Sequence, residues 1–497
     1  MIRRVAGVLL AGILMCSAAV MGGCGNDSAG NPDKVKLDPE NPVTISVWNY
    51  YNGEQQDAFN GLVDEFNSTE GRERGIFVET YSLGSVGELE QSVLDAADGK
   101  VGASQVPNIF AAYADTAYAV DQRDLVADLM PYFSEKELDR FIASYLNEGE
   151  FSGAGTLKIF PVAKSTEILV LNKTDWDKFA EATGWKLSEL STIEGVTRTA
   201  EAYYRWTDSL TAEKNDGKAF FGRDAMANYL LLGARQLGTE IFTVKEDGSV
   251  ELHFDRDVMK KLWDNYYVPF INGYFDASAR FRSGDMKTGS IISFVGASSG
   301  ATFFPSSVVG GDDDQDEYPI ELLALECPKF EGGEAYAVQQ GAGMVVTKSE
   351  PEKVYASVQF LKWFTQDERN IRFSVASGYL PVTKAANDAE LITEYIGSDG
   401  SMMDSILQVS VDTVMKNKLY TPKAFKNGTT ARNVLETSLS GQAAADRKLV
   451  RQRIEQGMTL EEASALYLQD DNFDRWYEKT KTELEAAIGS DGGGGIQ

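Results

Sequence analysis

Histidine is nearly absent from this chain, whose 497 residues include one, His253. A Ser-His-Asp triad or a histidine-rich metal site would therefore have to use that single imidazole. His253 stands in the alternating stretch VELHFD, and we interpret it as a surface residue of a strand or turn. The sequence also lacks a phosphate-binding loop and a dinucleotide-binding glycine pattern. We predict no catalytic residue, no metal ligand and no cofactor.

Acidic residues are abundant, and they raise two further possibilities, a calcium-binding loop and the carboxylate pair of a glycosidase. The stretch from Asp312 follows the calcium-loop pattern for five residues, but Glu317 stands where that loop needs glycine and Leu323 where it needs a bidentate Glu. We interpret it as a solvated acidic turn. Among 75 acidic residues some pair at the carboxylate separation of a glycosidase by chance, so residue content alone leaves a glycoside hydrolase open.

Cysteine is also scarce, and two of the three cysteines, Cys16 and Cys24, lie near the amino terminus. Two arginines precede an apolar run at 5–21, which is shorter than the ~20 residues of a permanent membrane span. The small residues before Cys24 are similar to a bacterial lipobox. We predict a lipoprotein signal peptide at 1–23, lipidation of Cys24 and a polar tether at 24–42, with an ordinary signal anchor as the alternative. The protein is then exported and held by lipid on the outer side of the bacterial cell membrane.

The remaining cysteine, Cys327, has no partner for an intramolecular disulfide, so stability must come from a large core. About 450 residues beyond the tether are enough for two or three domains. Positive charge is in deficit, with 47 basic against 75 acidic residues and a net charge of −28. Such a surface repels phosphate backbones, which argues against nucleic acid as a partner.

Strand and helix patterns alternate after the tether. Strand-like runs at 43–48, 75–85 and 106–115 enclose two amphipathic helical stretches. This order predicts a parallel sheet flanked by helices, and such sheets bind ligands beyond the carboxyl ends of their strands. The polar residues at these ends, our first candidates for solute binding, are Tyr50, Asn52, Glu54, Ser85, Tyr113 and Asp115.

Several blocks of sequence together resemble one family. They are ISVWNYYNGEQQDAFNGLVDEFN, VPNIFAAYADTAYAVDQRDLVADL, FPVAKSTEILVLNKTDW, QQGAGMVVTKS, VQFLKWFTQ and SGYLPVTKAA. From about residue 43 to 489 the chain is similar to family 1 extracellular solute-binding proteins, the capture subunits of ABC importers related to maltose-binding protein. The resemblance implies an α/β fold of two lobes, each with a central, mainly parallel sheet flanked by helices, joined by a hinge that the chain crosses several times.

The same resemblance suggests how the chain divides. We expect lobe I at 43–162 and 297–347, lobe II at 163–296 and 348–490, and a flexible tail at 491–497. The first crossing falls near 161–165. A family member closes its lobes around a small-molecule solute and passes it to the transmembrane subunits of a permease. We expect a monomer.

The family alignment adds Ser165, Thr166, Ser298, Ser299, Gly341 and Tyr379 to the candidate solute-binding residues. Tyrosine faces, hydroxyls, amides and carboxylates suit a sugar or oligosaccharide, which is our expectation. The alternative is glycerol-3-phosphate or a glycerophosphodiester, because the glycerol-phosphate binders keep an arginine near Lys423, Lys426 and Arg432. Exported glycoside hydrolases and polymer-binding adhesins are further alternatives.

Overall fold

The computed structural model describes residues 35–151, 155–309, 317–396 and 402–489. The expected signal peptide, the lipidation site Cys24, the tether up to residue 34 and the tail at 491–497 lie outside the described residues, as does the acidic stretch 312–316, which contains four aspartates. Within the described ranges, no helix combines the length and the apolar character needed to span a membrane.

The strands of the described residues are short, and most belong to two sheets. They are β1 (Val43–Asn49), β2 (Ile76–Ser82), β3 (Ile109–Ala112), β4 (Glu167–Asn172), β5 (Phe221–Arg223), β6 (Phe242–Val244), β7 (Val250–Leu252), β8 (Ser293–Ala297), β9 (Ser307–Val309), β10 (Glu317–Pro319), β11 (Leu322–Glu326), β12 (Tyr336–Val338), β13 (Gly343–Val346) and β14 (Lys418–Tyr420).

Helices make up most of the remaining regular structure. They are α1 (Gly53–Ser68), α2 (Glu70–Arg74), α3 (Val86–Ala97), α4 (Ala114–Asp121), α5 (Glu135–Leu138), α6 (Ala143–Asn147), α7 (Lys173–Thr183), α8 (Ile193–Asp208), α9 (Met226–Gln236), α10 (Arg256–Ile271), α11 (Arg282–Lys287), α12 (Pro351–Phe364), α13 (Asp367–Ser377), α14 (Ala389–Ile396), α15 (Met402–Lys416), α16 (Gly428–Glu455), α17 (Leu460–Ser464) and α18 (Asp470–Gly489).

Sheet I has the strand order β13-β3-β1-β2, and its three amino-terminal strands run parallel. Helix α1 covers it because Phe59, Leu62, Val63 and Phe66 recur at helical spacing and are all buried. Helix α12 contributes Phe360, Trp363 and Phe364 to the same core. The predicted alternation of strand and helix at the start of the chain is confirmed.

Sheet II has the order β11-β4-β8-β5. Strand β4 pairs antiparallel with both β11 and β8, and only the β5–β8 pairing is parallel. The α/β fold with helix-flanked sheets is therefore as expected, while sheet II is mainly antiparallel. Its larger core is built from the helical middle of the chain and from α16 and α18, with Trp263, Tyr267 and Trp476 among its aromatic residues.

The chain divides between the two sheets differently from our expectation in two places. Residues 351–382 were assigned to lobe II, but α12, Phe373 and Val382 pack in the core under sheet I. Strand β11 was assigned to lobe I, but it pairs along its whole length with β4 in sheet II. An apolar strand or helix can be buried in either core, so its own sequence does not assign it to a lobe. The assignment depends on pairing with residues far away in the chain. We use lobe I for the sheet I core and lobe II for the sheet II core below.

The end of the expected tether packs on lobe I. Leu37 contacts the lobe I core. Asn41 donates its backbone N–H to the carbonyl of Asp38 at 3.0 Å. At Gly75, where φ is +74°, an added Cβ would lie 2.6 Å from the carbonyl carbon of Asp38, so glycine is needed for this close approach. The residues nearest the globular part are thus fixed to it.

Candidate functional site

Three segments of chain lie side by side where the lobes meet. Ser165 and Gln340 exchange backbone hydrogen bonds of 2.8 and 3.1 Å. Lys164 pairs in the same way with Leu380. The first segment leads from the lobe I core into β4, and the second leads from β12 into β13. The chain therefore passes from the sheet I core to sheet II through the first segment, and we call residues 160–166, 338–344 and 378–382 the hinge.

A buried ion pair lies inside the hinge. Lys164 pairs with Glu148, and both side chains are almost fully buried. Lys164 Nζ also donates to the carbonyl of Gly341 at 2.8 Å, and Gln339 Nε2 donates to Glu148 at 2.8 Å. Gly341 has φ +95°, and a Cβ there would lie 3.1 Å from Lys164 Cα. Lys164 Nζ and Glu148 Oε2 thus each have a second hydrogen-bond partner besides the ion pair, which favours a stable buried charge.

Three tyrosines from distant parts of the chain meet beside the hinge. The hydroxyls of Tyr50 and Tyr379 are 3.2 Å apart. Tyr113 is close enough for its charge to raise the pKa of Tyr379, and burial raises the pKa of all three phenols. All three hydroxyls are therefore neutral at physiological pH. This tyrosine cluster (Tyr50, Tyr113 and Tyr379) brings three neutral hydroxyls together, and the rings of Tyr50 and Tyr379 are almost fully buried.

On the lobe II side, a chain of polar contacts runs from the surface into the core. Arg432 Nη2 donates to Asn228 Oδ1 at 2.6 Å. Asn228 Nδ2 donates to Glu167 at 2.8 Å and to Gln340 at 3.0 Å. Glu167 in turn forms a buried ion pair with Arg223. These hydrogen bonds hold the side-chain amide of Asn228 in one orientation. The half-buried Arg432 is the outermost residue of this series of polar contacts.

On the lobe I side, two carboxylates face Arg432. The pKa of Asp115 is raised to about 6, chiefly by burial; Arg432 opposes this rise, and the charges of Glu90 and Glu148 contribute to it. Burial also raises the pKa of Glu90, again opposed by Arg432, and Thr116 donates to Glu90 at 2.9 Å. The carboxylates of Asp115 and Glu90 in lobe I thus interact electrostatically with the guanidinium of Arg432 in lobe II, at one site between the lobes.

Other predicted residues lie at the hinge or on the surface of lobe I. Thr166 donates its hydroxyl to the carbonyl of Val338 at 2.9 Å and its backbone N–H to Ser298 at 3.4 Å. The carbonyl of Ser299 accepts from Gln55 at 2.9 Å. Ser85 caps α3 through the N–H of Glu88. Asn52 and Glu54 are exposed at the start of α1. The structure therefore groups the tyrosines, Asp115 and the hinge residues, with Asn52, Glu54 and Ser85 outside that group.

Sequence reasoning missed several members of this site. Glu90 on α3 and Asn228 on α9 lie far apart in the chain, and nothing in their local sequence marks them. Gln340 stands beside the predicted Gly341 in the block QQGAGMVVTKS, a signal that could have identified it. Arg432 was considered only as a phosphate ligand. No group of three or more histidine, cysteine, aspartate or glutamate side chains within the described ranges is arranged to hold a metal ion. His253 is exposed, as predicted.

The chain forms two α/β lobes joined by a hinge that it crosses several times, and polar and aromatic side chains lie between the lobes. This arrangement is that of a two-lobe binding protein. The description "bacterial extracellular solute-binding protein" matches residues 61–397, more than half of the chain, and the chain belongs to that family. A search of curated proteins gives no match.

Solved structures agree on the fold. The cyclic alpha-maltosyl-1,6-maltose binding protein of Arthrobacter globiformis is 16% identical with a TM-score of 0.64, covering 90% of this chain and 99% of that one. UgpB of Mycobacterium tuberculosis in complex with glycerophosphocholine is 16% identical with a TM-score of 0.65 and the same coverage. A Thermus thermophilus maltotriose binding protein bound with maltotriose is 14% identical with a TM-score of 0.57, covering 90% and 100%.

Proposed function

We propose that this protein captures a neutral sugar or oligosaccharide between its lobes and delivers it to an ABC permease. One observation carries the proposal: Arg432 faces the carboxylates Glu90 and Asp115 across the lobes, beside the tyrosine cluster. A sugar hydroxyl donates to a carboxylate while accepting from a guanidinium, so a polyhydroxylated solute satisfies both sides at once. Tyrosine faces pack on the apolar C–H face of the same ring.

The charge balance supports a neutral solute. Lys164 is paired with Glu148 and Arg223 with Glu167, so these two cations are already neutralised. That leaves Arg432 opposite two carboxylates, while Lys423 and Lys426 are exposed. A dianionic phosphate placed here would meet at least as much negative as positive charge, and such a desolvated anion is costly.

The proposal is tested by a thermal-shift screen across mono- and oligosaccharides, polyols and glycerol phosphates. A solute present at ~100 times its dissociation constant stabilises the folded protein by about 2.7 kcal/mol. We expect a neutral sugar to give the largest shift, with affinity that barely depends on salt. Stabilisation by glycerol phosphates alone would contradict the proposal.

The glycerol-phosphate alternative is supported by one specific observation, the presence of Arg432 between the lobes. UgpB, whose structure holds glycerophosphocholine, also shares the fold. The substitution Glu90→Gln separates the two cases because its effects have opposite signs. It weakens a sugar whose hydroxyl donates to the carboxylate, and it strengthens a phosphate that the carboxylate repels. Isothermal titration with whichever solute the screen finds measures that sign.

Capture without turnover is the part of the proposal that excludes a hydrolase. Incubation with the oligosaccharide found by the screen is expected to release no reducing ends. Catalytic release, lost on neutralising one carboxylate, would instead support the enzyme. A surface adhesin would bind polymers with no change in lobe separation.

The expected location adds a lipid anchor at Cys24 and delivery to transmembrane permease subunits. The family's extracellular character supports export. The anchor is tested by fractionating bacterial cells that express the intact chain or its Cys24→Ala variant. We expect the intact protein with the membranes, carrying acyl mass on Cys24, and the variant in the soluble fraction. Equal membrane association of both would exclude the anchor.

A further inference from the structure

Asp115 makes a contact between the lobes that uses no hinge residue. It lies in the first turn of α4, a helix whose Ala117 and Val120 belong to the lobe I core. Its carboxylate lies against Gly428 at the start of α16, a helix whose Ala431 and Leu435 belong to the lobe II core. The contact therefore spans the opening between the lobes.

Gly428, the first residue of α16, leaves the space that this carboxylate occupies. A Cβ at Gly428 would lie 2.8 Å from Cγ of Asp115 and 3.1 Å from Oδ2, and closer still to Oδ1. Its three nearest atoms would all belong to the Asp115 side chain. Any side chain at position 428 therefore displaces the Asp115 carboxylate.

Charged groups surround the carboxylate of Asp115 and affect where it can lie. Glu90 on α3 and Glu148 after α6 both repel the carboxylate, whereas Arg432 on α16 attracts it. The amino end of α16 also carries a partial positive charge. Lys423 and Lys426 in the preceding loop are exposed to solvent.

We propose that Asp115 and Gly428 form a clasp that holds the two lobes closed, independently of any solute. In this role Asp115 is a positioning residue, because its carboxylate sets the separation of the lobes. The clasp then fixes how far Arg432 stands from Glu90, and thereby the width of the proposed solute site.

The test compares Gly428→Ala, Asp115→Ala and the double variant with the parent chain, with no solute added. Small-angle X-ray scattering measures the radius of gyration, and hydrogen exchange measures protection of the amides at 425–428. We expect both single variants to increase the radius of gyration and to lower that protection roughly tenfold. Gly441→Ala is the matched control, because it lies in the same helix with nothing within 4 Å of the added Cβ.

The double variant makes the test specific to the clasp. Once the carboxylate is absent, the alanine at 428 has nothing to displace, so the double variant is expected to equal Asp115→Ala. Additive effects of the two substitutions, or an unchanged radius of gyration in both single variants, would overturn the clasp. Since no solute is used, the result is independent of the sugar proposal. Asp115→Ala alone decides the question if Gly428→Ala fails to fold.

Discussion

The hydroxyl groups of Tyr50 and Tyr379 lie 3.2 Å apart, although 329 residues separate them in the chain. Tyr50 follows the first strand of lobe I, and Tyr379 lies in the hinge. Tyr379 also stacks on Phe373 at 6.2 Å and meets Tyr51 edge-on at 6.0 Å. One side chain thereby connects a strand end, a lobe core and the hinge.

We predict that Tyr379→Phe lowers the free energy of unfolding by about 1 kcal/mol, because it removes the hydrogen bond to the buried Tyr50 and keeps the ring packing. Tyr379→Ala also removes the ring and is expected to cost about 3–5 kcal/mol. Urea denaturation measures both, with Tyr395→Phe as an exposed control. An unchanged midpoint for Tyr379→Phe would show that the hydroxyl contact adds no stability.

The buried pair of Glu167 and Arg223 predicts a larger effect. Glu167→Gln leaves Arg223 buried without a counter-charge, for which we expect a loss of about 3–5 kcal/mol. The matched control is Glu201→Gln, since Glu201 pairs with Arg205 at the surface. We expect that change to cost less than about 1 kcal/mol. Equal unfolding midpoints for the two variants would contradict the prediction.

The pKa of Asp115 predicts a pH dependence of stability. Because this pKa is raised from 3.8 to about 6, the folded protein binds the Asp115 proton more tightly than the unfolded chain does. The contribution of Asp115 to stability therefore falls as pH rises from about 4 to 6. Asp115→Asn, which has no charge to bury, is expected to gain stability relative to the parent over that range, by up to about 3 kcal/mol. Urea titrations of both proteins at pH 4 and pH 7 measure the difference, and a constant difference would refute the assignment.

The thiol of Cys327 is predicted to be unreactive. Burial raises its pKa to about 11, and Arg223 opposes the rise only in part. At pH 8 about 0.1% of such a thiol is thiolate, the reactive form. In a variant with serine at positions 16 and 24, we expect an aromatic disulfide reagent to react at least about 100-fold more slowly with the folded protein than in denaturing urea. Similar rates in both conditions would contradict this.

The sequence was enough to predict the three amino-terminal strands of sheet I, since local patterns of strand and helix there coincide with chain order. It also indicated the tyrosines and Asp115, because they follow strand ends directly. It could not assign β11 or α12 to a lobe, as both are apolar and either core would bury them. Nor could it group Glu90, Asn228 and Arg432, whose proximity depends on the packing of helices far apart in sequence.

The docking of Leu37 on lobe I has a consequence for how far the protein can reach. With Leu37 fixed, only residues 24–36 remain between the proposed anchor and the folded lobe. Fully extended, such a segment spans at most about 45 Å. The solute site would then stay close to the bilayer surface. This confinement raises the effective concentration of the protein at a membrane transporter. A longer segment would lower this effective concentration without changing the affinity of the protein for its solute.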